Sequence, residues 1–62
     1  MIIEWDKVSD ESLTEIYTTM KRRLADTAEH PEHEEEYRTN SPDWQEEYSA
    51  VKAEMQRRGL PL

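Results

Sequence analysis

At 62 residues the chain has room for a single domain, and a domain that short buries a smaller fraction of its surface than a larger one and is often only marginally stable alone. It has no cysteine, which excludes both disulfides and thiolate metal sites. Its formal net charge of -7 repels nucleic acid and anionic lipid and argues against either as a direct ligand.

No stretch carries the roughly twenty apolar residues that a bilayer span demands. Ile2, Ile3 and Trp5 are interrupted by Glu4 and Asp6, unlike the basic start and apolar run of a secretory signal. The expected location is therefore the cytoplasm, and the expected partner is a protein with a basic surface, a second copy of the chain, or both. High charge and low hydropathy also raise the question of disorder. The apolar residues answer it by falling on helical spacing.

In chain order, residues 1–8 form an apolar arm. A first helix is expected over about 10–29. Ser9 is a suitable N-cap, and Asp10 and Glu11 place negative charge at the positive end of the helix dipole. Val8 and Leu13 have the spacing of a hydrophobic staple across that cap. Ser12 with Glu15 spells a capping box and competes for the start by one turn. Leu13, Tyr17, Met20 and Leu24 then recur in steps of four, three and four, the stripe of a helix that meets another helix, and Ile16 widens it. Lys21, Arg22 and Arg23 follow late in the helix, and Pro31 sets its end at or before about His30.

A second helix is expected over about 42–58. Ser41 is its N-cap, and Pro42 takes the first position, where no N–H is needed. Trp44, Tyr48, Val51 and Met55 repeat the same stripe. Gly59 supplies the left-handed residue of a helix stop, with Leu60 placed to fold back onto Met55 and Pro61 beyond it. The fold class is thus all-α, an antiparallel two-helix hairpin within one domain spanning 1–62. The antiparallel choice rests on charge. It sets Asp10, Glu11 and Glu15 near Lys52, Arg57 and Arg58, and Lys21, Arg22 and Arg23 near Asp43, Glu46 and Glu47.

Between the helices, residues 26–41 form an acidic connector. From Asp26 to Asp43 there are seven acids against the single Arg38, which is nearly all the excess charge of the chain. Pro31 can open a short helical turn to about Tyr37, and a mobile acidic loop fits the same composition. Two helices share only one interface, so the hairpin needs completion. The N-terminal Ile2, Ile3 and Trp5 can cross it, as a strand or otherwise, or two hairpins can join as a four-helix bundle.

Chemistry-bearing motifs are few. His30 and His33 among glutamates are weak metal candidates, since imidazole and carboxylate suit zinc or nickel. The spacing does not match the His-Glu-x-x-His signature. Ser9, Ser12 and Ser41 read as caps rather than nucleophiles, and a chain whose only glycine is Gly59 has no phosphate-cradling loop. No catalytic residue and no cofactor is implied, and no enzyme is expected. Trp5, Ile16 and Trp44 are candidate partner-binding residues, because Trp and large apolar side chains anchor interfaces. Glu29, Glu32, Glu34, Glu35 and Glu36 are a candidate acidic surface. The first expectation is a non-enzymatic protein–protein interaction module acting through its helix faces, as an adaptor, assembly or regulatory subunit. The alternative is an inhibitor that imitates the phosphates of nucleic acid and blocks a basic binding site.

Overall fold

Ser9 decides where the first long helix begins. Its hydroxyl accepts from the Ser12 N–H at 3.2 Å and its carbonyl from the Leu13 N–H at 2.9 Å, so the competing start at Ser12 is absorbed into the first turn. In the computed structural model, which describes residues 4–62, α1 runs Asp10–Glu29. A four-residue α2 spans Glu34–Tyr37, and α3 spans Pro42–Arg58. Two 3-10 turns, Trp5–Lys7 and Pro31–His33, precede α1 and α2. The described residues are all-helical, with no strand among them. Whether Ile2 and Ile3 form one lies outside the described residues.

Each boundary has a local chemical cause. Ser41 accepts from the Trp44 N–H at 3.3 Å, with Pro42 behind it at the first helical position. At the other end Gly59 takes φ 73°, the left-handed geometry for which it lacks a Cβ penalty. The Leu60 N–H reaches back to the Met55 carbonyl at 2.9 Å, closing the stop that Gly59 and Pro61 signal. Arg38 also adopts a left-handed φ, 58°, to end α2. That is an unusual conformation for a residue with a Cβ.

The long helices run antiparallel. Arg58, the last residue of α3, binds Asp10, the first of α1. Midway, the rings of Tyr17 and Tyr48 stack 5.9 Å apart and 5° from parallel. The core between them is Leu13, Tyr17, Met20, Val51 and Met55, all buried. Trp5, Val8, Ile16, Trp44, Tyr48 and Leu60 pack against it while staying partly exposed. Val8 and Leu13 thus meet in one cluster, as the staple spacing predicts. Leu24, the last stripe residue of α1, is only half-buried.

Charge pairing follows the expected pattern at one end only. Between α1 and α3, the ion pairs among the described residues reduce to Asp10–Arg58. Lys52 instead lies over the Tyr48 ring at 5.5 Å, Lys21 over Tyr17 at 5.6 Å, and Arg23 over Tyr37 at 5.3 Å. Exposed pairs gain little, about 0–1 kcal/mol. A cation over an aromatic face competes on equal terms.

The connector is ordered and docked rather than loose. The Thr39 hydroxyl, buried to 1 % exposure, donates to Glu34, and the Asn40 N–H donates to the second Glu34 oxygen at 2.6 Å. Gln45 of α3 then donates to the Thr39 carbonyl at 2.5 Å. One side chain from each neighbouring helix therefore clamps the turn between them.

Candidate functional site

The three residues singled out as partner anchors converge. Trp5 from the first 3-10 turn, Ile16 from α1 and Trp44 from α3 line one open groove of about 410 Å³. Met20 contributes to its floor, and Glu15, Thr19, Arg23 and Glu47 complete the lining. Helical geometry explains the set on α1. Residues 15, 16, 19, 20 and 23 follow the i, i+4 and i+3 steps of one stripe, which lies beside the core face of Leu13 and Tyr17. Met20 belongs to both and joins groove to core.

Trp44 is held firmly in this wall. Its ring stacks on Tyr48 at 5.4 Å, and Tyr48 in turn stacks on Tyr17. Burial, aided by Tyr17, raises the Tyr48 phenol above its ordinary value. Trp5 is fixed through its backbone. Arg58 donates to the Trp5 carbonyl at 2.9 Å, so the arm is tied to the end of α3. Trp5, Ile16 and Trp44 all remain half-exposed, the state of a side chain with one face packed and one face open.

The acidic surface divides. Glu29, Glu32, Glu35 and Glu36 are exposed. Glu34 instead turns inward to Thr39 and Asn40, and those two hydrogen bonds hold its carboxyl below the ordinary range. Glu32 lies 3.3 Å from His30 Nδ1. The expected array of five carboxylates thus becomes four, since Glu34 serves the turn.

His30 and His33 are brought together despite Pro31 between them, their rings 5.0 Å apart. His33 Nδ1 faces Asp26 at 2.5 Å, and this contact raises the imidazole above its ordinary value. Tyr37 meets the same ring edge-on at 5.9 Å. Among the described residues no group of three or more His, Asp or Glu side chains is arranged to hold a metal ion. The His33–Asp26 pair fastens the connector to α1.

A further acid escaped the sequence reading. Glu54 is 9 % exposed and is held by both Arg57 and Arg58, with Arg58 Nε at 2.7 Å. The arginines lower its carboxyl to about 2. A carboxylate so tightly ionised is unsuited to general-acid work, which needs a proton near neutral pH. Its placement three and four residues before two arginines was the available signal.

No family model, curated protein or solved structure matches the chain. No helix among the described residues is long and apolar enough to cross a membrane.

Proposed function

We propose that the protein is a non-enzymatic interaction module whose working surface is the Trp5–Ile16–Trp44 groove. The observation that carries this reading is convergence. Residues from three separate segments present half-buried aromatic and aliphatic faces to one concavity, rimmed by Glu15, Arg23 and Glu47. Interfaces of this kind concentrate binding energy in a few large, well-supported anchors surrounded by a polar rim. The support is already built here, with Trp44 stacked and Trp5 tied through its backbone. In this reading the partner is a protein, bound by contact alone, and the arm completes the hairpin by forming one wall of the groove.

The second reading keeps the acidic connector as the contact surface, imitating nucleic-acid phosphates toward a basic protein. Its support is the exposure of Glu29, Glu32, Glu35 and Glu36. Glu34 no longer belongs to that array.

Site-specific photo-crosslinking in the source cell separates the two. A photoreactive residue replacing Thr19 sits in the groove, and one replacing Glu36 sits on the acidic face. Protein adducts from the first and none from the second are expected. Adducts from the Glu36 position alone would transfer the function to the connector.

A further inference from the structure

We infer that the occupant of the groove is a second copy of this chain, bound through a twofold axis that passes beside Thr19. The inference rests on the groove being the interaction surface. It adds what fills that surface and in which register.

The rim carries both signs in a self-complementary order. On α1, Glu15 and Arg23 stand four residues to either side of Thr19, all three lining the groove. Four residues of helix rise about 6 Å. When two α1 helices cross antiparallel at Thr19, Glu15 of one copy therefore lies beside Arg23 of the other, and the converse pair forms by symmetry. A parallel crossing at the same point sets Glu15 against Glu15 and Arg23 against Arg23. An isologous interface requires a patch that complements itself in this way.

Other observations favour the same occupant. None of the ion pairs among the described residues uses Glu15, Arg23 or Glu47, so their charges are available across an interface. Arg23 lies over the Tyr37 ring at 5.3 Å and also lines the groove, so its charge is held at the rim. Thr19 is small and exposed, and permits close approach at the crossing point. Ile16, one position from Glu15, is carried into the seam beside it.

The dimensions are adequate. The molecule extends 34 × 25 × 15 Å, so its broad side measures 34 × 25 Å, and the groove is lined by both long helices. Specific interfaces bury about 800 Å² per partner, the scale of such a side. Doubling the layer also gives the small core its missing cover, since Ile16 and both tryptophans keep an open face in the single chain.

The test is a charge exchange read by sedimentation equilibrium on the whole chain. Wild type is expected to be a dimer whose population grows from micromolar to near-millimolar concentration, and Ile16→Glu is expected to be monomeric at the same helix content. Glu15→Arg alone opposes like charges twice, as does Arg23→Glu alone, so each variant by itself should lose dimer. An equimolar mixture of the two restores both opposite-sign pairs and should recover a one-to-one dimer. A wild-type monomer throughout that range overturns the inference, as do single-charge variants that dimerise like wild type. The broader reading is judged apart from this. If the chain is monomeric but a Thr19 crosslink to a different protein is lost in Ile16→Glu, the groove remains the working surface and only its occupant changes. If Ile16→Glu alters neither oligomer nor crosslink, the groove itself is excluded.

Discussion

Arg58 and Asp10 stand 48 positions apart in the chain and 2.8 Å apart in the fold. The same guanidinium binds Glu54 within α3 and the Trp5 carbonyl of the N-terminal arm. One side chain therefore joins three segments at the open end of the hairpin.

Arg58→Ala is expected to destabilise the fold more than Arg57→Ala. Both remove a partner of buried Glu54, but the Arg58 side chain is 14 % exposed and makes the longer-range contacts, whereas that of Arg57 is 63 % exposed. Removing Arg58 leaves Glu54 with its more solvated partner and frees the arm. Thermal melts of the two variants should rank in that order. Equal midpoints would mean that the arm and Asp10 contribute nothing.

Acid should remove the contribution of Glu54. Its carboxyl titrates at about 2 in the fold against an ordinary 4.5, so the folded state holds fewer protons than the unfolded chain between those values. The stabilisation is complete above pH 4.5 and is lost as pH falls through about 2. Denaturant midpoints measured down this range should fall steeply in wild type and less steeply in Glu54→Gln.

His33 works in the opposite sense. Asp26 raises its imidazole above 6.5, so the folded state binds the proton more tightly. The contribution is fully present below pH 6.5 and fades as pH rises through the higher folded value. Imidazole resonances followed by NMR should report a His33 value above the ordinary 6.5, and Asp26→Asn should bring it down. An unmoved His33 would mean that the contact does not form in solution.

Core and groove should separate by mutation. Leu13 is fully buried, and Leu13→Ala should cost about 2–5 kcal/mol, with a cavity left behind. Ile16 is half-buried on the open groove, and Ile16→Ala should cost only about 1 kcal/mol in the isolated chain. Urea denaturation at low protein concentration measures both. A cost for Ile16 as large as that for Leu13 would make it a core residue.

The helices were legible in the sequence because their limits are set by adjacent residues. Ser9, the Ser41–Pro42 pair and Gly59 act within one turn of themselves, and each acts in the structure as its chemistry dictates. The candidate anchors were legible as residue types. Their meeting in one groove was not, since it depends on how the arm returns across α1 and α3. The inward turn of Glu34 was equally hidden: its partner Thr39 lies five residues on, across a left-handed Arg38 that nothing in the composition announces. Interhelical charge pairing was over-read at the connector end, where Lys21 and Arg23 take tyrosine faces instead of carboxylates.

The column of Trp44, Tyr48 and Tyr17 makes the protein its own optical reporter. Stacked rings in a fixed chiral arrangement couple their electronic transitions and give a near-ultraviolet circular dichroism band. The Trp44–Tyr48 part of that band belongs to α3 alone, whereas the Tyr17–Tyr48 part depends on the relative pose of α1 and α3. A state with intact helices but slipped packing would keep its far-ultraviolet spectrum and lose the interhelical Tyr17–Tyr48 part of the aromatic one. The tertiary fold of this chain can therefore be followed in dilute solution, unlabelled, and apart from its secondary structure.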